Sequence, residues 1–194
     1  MMKLPITIIS ILICTGLSPV TKETTFELSE NSAEMIIAGT SSLHEWEMTL
    51  KSIDCKAQIE HEGDVIERID NISFSCLASD IKSGSSLMNK KAHDALKADA
   101  FPEIKFRGTS TTGLISEGNS FKGDVTGKLN VAGETTEAII PFNGTFVDNN
   151  TVIITGRTEL QMSSFKITPP AALLGTLKTG DKISVSFSLQ FTQQ

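Results

Sequence analysis

The side chains able to do chemistry are few and scattered: three His, three Cys and no Tyr. His44-Glu45-Trp46 sets an imidazole beside a carboxylate, the pairing that general acid–base catalysis uses. On an extended chain neighbours point to opposite faces, so His44 and Trp46 share a face and Glu45 takes the other. The plainer role is that Trp46 plugs the end of a barrel while His44 hydrogen-bonds a loop. His93-Asp94 falls on a helical stretch beside Asn89, Lys90 and Lys97, the side expected to face solvent. His61 stands among Glu60, Glu62 and Asp64 and reads as a solvated turn residue. Three isolated His do not supply the ligand set that zinc takes. Ser163-Ser164 and Ser83-Gly84-Ser85-Ser86 lack a base at usable spacing. No nucleophile elbow, phosphate loop or dinucleotide fingerprint is present. These residues point away from an enzyme and call for no metal or organic cofactor.

Composition narrows the class further. With 39% hydrophobic and 21% charged residues the chain belongs among globular proteins, and its net charge of −6 argues against a nucleic-acid groove. Met1-Met2-Lys3 is followed by an uncharged, almost wholly apolar run from Leu4 to Leu17. That run is shorter than the roughly 17–25 residues of a membrane-spanning helix, and its basic start and polar end have the form of a secretory signal peptide. Residues 1–20 are accordingly read as a signal, with cleavage between residues 18 and 25, and 21–194 as one exported domain, periplasmic or secreted. Cys14 raises a lipoprotein alternative, against which the bulky Ile13 argues. Export also raises a Cys55–Cys76 disulfide. A tight turn at Glu62-Gly63-Asp64 sets Cys55 nearer Asn71, whereas a wider loop brings the two Cys opposite, and two small buried thiols are the other reading.

The elements that position these residues are mostly strands. Period-two alternation is clearest where Ile183, Val185, Phe187, Leu189 and Phe191 interleave with Ser, Gln and Thr. A second face runs through Phe121, Gly123, Val125, Gly127, Leu129 and Val131. After a break at Ala132-Gly133 come Ala138, Ile140, Phe142, Gly144 and Phe146, and a turn at Asp148-Asn149-Asn150 leads to Val152, Ile154 and Gly156. Shorter strands are expected near residues 24–29, 34–39 and 103–109. Trp46, Met48 and Leu50 lie on even positions but Ile53, Cys55, Ala57 and Ile59 on odd ones, which places a β-bulge near Lys51-Ser52. Ile72, Phe74, Cys76 and Ala78 keep one parity. One helix is predicted through Met88, Ala92, Ala95, Leu96 and Asp99, capped by Ser85 or Ser86 and closed before Pro102. A short turn is expected around Pro169 to Leu174. Eight or more short strands with one helix describe a closed antiparallel barrel or a sandwich, without repeats or a second domain.

If the Phe and Ile parity points inward, so do Gly108, Gly123, Gly127, Gly144 and Gly156. Either these glycines leave room for a slender apolar guest beside Trp46, Phe106, Phe121, Phe142 and Phe187, or they let strands coil while neighbouring aromatics close over them.

Four segments carry a resemblance that spans nearly all of the mature chain. They are Gly39-Thr40-Ser41-Ser42-Leu43-His44-Glu45-Trp46, the stretch from Lys82 to Phe106 that ends Phe101-Pro102-Glu103-Ile104-Lys105-Phe106, Gly127-Lys128-Leu129-Asn130-Val131-Ala132-Gly133, and the stretch from Pro169-Pro170-Ala171 to Thr179-Gly180-Asp181. On these the chain resembles the YceI-like family of exported bacterial barrels, in its Bacteroidetes-type branch; Glu134 and Thr136 depart from the family at a turn. The resemblance implies an all-β, lipocalin-like antiparallel barrel of about eight strands with one short inserted helix. It also implies a binding protein that holds a polyisoprenoid or other long-chain amphiphile, with Trp46, Phe106, Phe121, Gly123, Gly127, Phe142 and Phe187 around it. A polar group such as His44 or Lys178 would orient the head group. Peripheral contact with membranes is compatible with that role. The rival reading is an envelope protein with a filled barrel and an interacting surface.

Overall fold

The computed structural model describes residues 22–62, 65–172 and 177–193. The expected signal segment and its cleavage point, Cys14, the turn at Gly63-Asp64 and the Leu173-Leu174 end of the expected turn lie outside the described residues. Ten strands and one helix follow in the order β1 (Lys22–Ser41), β2 (Glu45–Leu50), β3 (Asp54–Glu62), β4 (Val65–Leu77), α1 (Ser86–Ala95), β5 (Glu103–Glu117), β6 (Ser120–Val131), β7 (Glu134–Asp148), β8 (Thr151–Gln161), β9 (Ala171–Ala172) and β10 (Leu177–Gln193). Every strand pairing is antiparallel, and β1 meets β10. The sheet therefore closes into an eight-stranded barrel, β1-β3-β4-β5-β6-β7-β8-β10. Closure removes the sheet edges that would otherwise invite pairing with another chain.

The strands expected near 24–29 and 34–39 are one strand. β1 carries an irregularity between Leu28 and Ala33, which moves its inward residues from even to odd positions. Its long edge is then shared: β3 pairs with Lys22–Glu27 and β2 with Met35–Thr40. The parity break at Lys51-Ser52 is thus a gap between two strands and not a one-residue bulge. A true bulge lies at Asn71 (φ 48°), where β4 spends one residue more than β3 between the pairs Lys56↔Ser73 and Gln58↔Asp70. With a further shift at Glu60/His61, Cys55 comes to stand opposite Phe74, and Cys55 and Cys76 are both free, buried thiols.

α1 starts where its sequence predicts, with Ser85 Oγ accepting from the Met88 N–H. It lies over a gap in the wall, where β2 meets the chain after β4 only at Thr49 and Lys82. His93 is not on the solvated side: its Nε2 lies 2.9 Å from the Ile81 carbonyl and ties α1 to that segment. Met88, Ala92 and Leu96 turn toward Met48, Leu50, Cys76 and Ile81 beneath it. Two residues in the expected Pro169–Leu174 turn, Ala171 and Ala172, form β9 and pair with Leu177 and Lys178.

The inward glycines are covered. Gly123 faces Phe142, Gly144 faces Phe121, Gly156 faces Phe187 and Gly39 faces Trp46, each pair directly opposite across neighbouring strands. At Gly144, Gly156 and Gly39 the place a Cβ would take is occupied by the partner's ring, and at Gly123 it would stand 3.2 Å from Phe142 Cζ and 3.1 Å from the Thr112 carbonyl oxygen. At Gly127 that Cβ would stand 2.5 Å from Phe106 Cζ. Of the two readings of these glycines, close packing by aromatics is the one found here, except at Gly108, which Ile72 and Val125 cover. Substituting Gly144 by Ala must push Phe121 out of place, with an expected loss of about 1–3 kcal/mol. Gly84 has nothing within 4 Å of its Cβ position, so Gly84→Ala should stay within about 0.5 kcal/mol of the parent. Urea unfolding midpoints of the two variants check this; equal midpoints would mean that Phe121 does not lie on Gly144.

Candidate functional site

The barrel has a filled end and a hollow end. At the filled end Phe26, Phe121, Phe142 and Phe146 pack ring against ring, with centroids 5.7–6.4 Å apart. His61, expected in solvent, instead sets its ring against Phe26 and Phe146 at 6.5 and 5.9 Å. Val152 and Phe26 are fully buried there.

Toward the other end the same inward faces open. Along β10, Leu189 and Phe191 are buried, whereas Ile183, Val185 and Phe187 on the same face are only partly buried. Met35 and Ile37 on β1 and Ile140 on β7 are likewise inward-facing yet only half-buried. The surface they expose is the wall of a cavity of about 470 Å³ that runs up the barrel axis. Nearly all of that wall is aliphatic or aromatic. At the mouth it is completed by Ser41 at the end of β1, His44 from the β1–β2 turn, Lys91 from α1, Pro170 just before β9, and Lys178 and Thr179 from β10. This size is within the usual range of sites for small molecules.

Trp46, Phe106, Phe142 and Phe187 line the cavity. Trp46 lies against Gly39 and donates its indole N–H to the Thr40 carbonyl at 3.1 Å, which fixes it at the mouth. Phe121 sits lower, in the aromatic plug, outside the cavity wall. Gly123 and Gly127 lie beneath the rings of Phe142 and Phe106 and do not border the space. His44 borders the mouth, but its Nδ1 bonds the Glu45 carbonyl at 2.6 Å, and no carboxylate among the described residues is paired with it. Residues absent from the sequence-derived set include Met35, Ile37, Ile140 and Val185; Ile140 and Val185 share the parity of Phe142 and Phe187, the signal that marks them. Lys91 carried no such signal.

Cys55 and Cys76 also border the cavity. Burial pushes both thiols up to about 12 from an ordinary 9.0, with Asp54 adding to the effect at Cys55 and Asp80 at Cys76. They are protonated and unreactive at neutral pH. Among the described residues no cluster of three or more His, Cys, Asp or Glu is placed to hold a metal ion.

A family model, the YceI-like domain, matches residues 26–191. The chain belongs to the YceI-like family. No curated protein sequence matches. Among solved structures it is similar to BcnA of Burkholderia cenocepacia, at 16% identity and TM-score 0.65, over 84% of this chain and 98% of that one. It is also similar to a polyisoprenoid-binding domain from Saccharophagus degradans implicated in plant cell wall breakdown, at 10% identity and TM-score 0.67, over 88% and 99%. The YceI protein of Campylobacter jejuni follows at 13% identity and TM-score 0.57, over 75% and 82%. These likenesses establish the lipocalin-like barrel as the shared fold.

The raised thiols have a consequence for stability. The folded state holds its protons to about pH 12 while the unfolded chain releases them near 9, so unfolding becomes easier as pH rises above 9. Below 9 the contribution is complete. Replacing both Cys55 and Cys76 by Ala should flatten part of the fall in unfolding midpoint between pH 8.5 and 10.5. An identical pH profile for variant and parent would contradict the burial of these thiols.

Proposed function

We propose that this YceI-like barrel is a binding protein that holds one long-chain amphiphile, a polyisoprenoid or an acyl chain, in its axial cavity. One observation carries the reading: inward-facing apolar side chains on β1, β7 and β10 are only partly buried around a continuous apolar space. Such a wall lacks packing partners when empty, and a guest supplies them. Each buried methylene contributes roughly 0.8 kcal/mol, so a chain of a dozen or more carbons binds without many polar contacts. The polyisoprenoid-binding description of the related Saccharophagus domain supports the same class of guest. Trp46, Phe106, Phe142 and Phe187 are the aromatic contacts in this reading, with Phe121 and the covered glycines holding the wall from behind. The chain would be exported through its amino-terminal segment, residues 1–20, and would act as one domain over 21–194. No described helix is long and apolar enough to cross a membrane.

Trp46 is the only tryptophan, so its emission reports the mouth directly. Titrating delipidated protein with hexadecanol should shift that emission to the blue and saturate at one equivalent. Val185→Phe, which places a ring in the open part of the cavity, should weaken binding by about tenfold while the unfolding midpoint changes little. Unchanged Trp46 emission through the titration, in protein shown to be delipidated, would favour a filled barrel that works through its outer surface.

A further inference from the structure

The charges around the cavity are one-sided. The chain carries 23 acidic and 17 basic residues, yet among the described residues no Asp or Glu borders the cavity, whereas Lys91 and Lys178 do. These two lysines come from distant parts of the sequence and meet at one point, Ala171. Lys91 Nζ donates to the Ala171 carbonyl at 2.6 Å, and Lys178 is the register partner of Ala171 in the β9–β10 pair. Lys178 is also held on its other side: its carbonyl accepts from the Ser42 N–H at 2.9 Å, and its own N–H donates to Ser42 Oγ at 3.1 Å. The backbone bearing Lys178 and the ammonium of Lys91 are thus fixed beside the mouth.

Neither lysine forms an ion pair among the described residues. Lys56, Lys82, Lys90, Lys105, Lys166 and Lys182 each have a carboxylate partner, and Lys51, Lys97, Lys122 and Lys128 share the unpaired state, but only Lys91 and Lys178 border the cavity. Lys90, next in sequence to Lys91, is bound to Asp94 at 2.7 Å on the outer side of α1. The mouth therefore gathers two cations on an acidic protein with no anion of its own in the wall. Beside an apolar wall such charges interact more strongly with an opposite charge than they would in open water.

Resting on the binding function proposed above, we infer that the guest carries an anionic head group, a carboxylate or a phosphate, received at the mouth by Lys91 and Lys178. The apolar chain lies below among Trp46, Phe106 and Phe187. The polar end stays at the rim, where two ammonium groups donate charge-assisted hydrogen bonds to it.

Three probes with the same chain test this: hexadecanol, hexadecanoate and hexadecyl phosphate, each titrated below its aggregation threshold against Trp46 emission. The anionic probes should bind about tenfold tighter than the alcohol, with a preference that shrinks as salt rises. If only one anion shows it, the head group is that one, carboxylate or phosphate. In the Lys91→Gln/Lys178→Gln double variant the preference should collapse to near unity, and Lys91→Arg/Lys178→Arg should restore it. Equal binding of alcohol and anions by the parent protein overturns the head-group assignment and leaves the apolar binding function standing. So does a preference that survives the Gln substitutions. Binding of none of the three probes overturns both.

Discussion

An aromatic ring laid over a glycine of the next strand is the contact on which this barrel depends. A barrel of eight strands has an interior just wide enough for side chains to fill it. Large inward rings would normally do so. Here Trp46, Phe106 and Phe187 each lie where the Cβ of a neighbouring inward residue would be, and that residue is Gly39, Gly127 or Gly156; Phe142 comes close against Gly123 in the same way. The rings are thereby kept against the wall, and the axis stays open beyond them. Phe121 uses the same device on Gly144 at the filled end, where Phe26 and Phe146 complete the packing. The glycines make space indirectly, by taking the rings out of the lumen.

The ends differ because their inserts differ. At the filled end the β5–β6 and β7–β8 connections are short turns, and aromatic rings close over one another beneath them. At the open end α1, the chain from Met162 to Pro170, and β9 stand around the mouth. α1 is pinned by a capping serine and by His93 on the Ile81 carbonyl, and reaches β9 through Lys91. The mouth is therefore built from parts that bond one another, and it presents cations where the lumen meets solvent.

Much of this was legible in the sequence. The alternating faces of β6, β7, β8 and β10 are there residue by residue, because one side of each strand is buried and the other wet. The cap of α1 follows from Ser85, but the helix stops at Ala95, short of the Asp99 that its spacing suggests, and the chain turns through Lys97 (φ 53°) before Pro102. What the alternation cannot carry is how far two strands slip past each other. The Cys55↔Phe74 pairing depends on the bulge at Asn71 and a second shift at Glu60/His61, and neither has a distinct residue signature. The continuity of β1 through residues 28–33 was hidden by its change of parity. His61 and His93 were misplaced for a related reason: charged neighbours in sequence suggested water, while the fold brought Phe146 to one and the Ile81 carbonyl to the other. Glycines on an inward face were visible, but whether a ring covers them depends on the register of the partner strand.

The central claim is that rings held on glycines leave a lumen that takes up a chain-like guest. Native mass spectrometry of the protein purified from a bacterial envelope without added lipid tests it most directly. The expected spectrum shows a one-to-one complex that loses a single apolar molecule on collisional activation, and solvent extraction of the same sample recovers that molecule. A bare polypeptide mass, with nothing apolar in the extract, would contradict it.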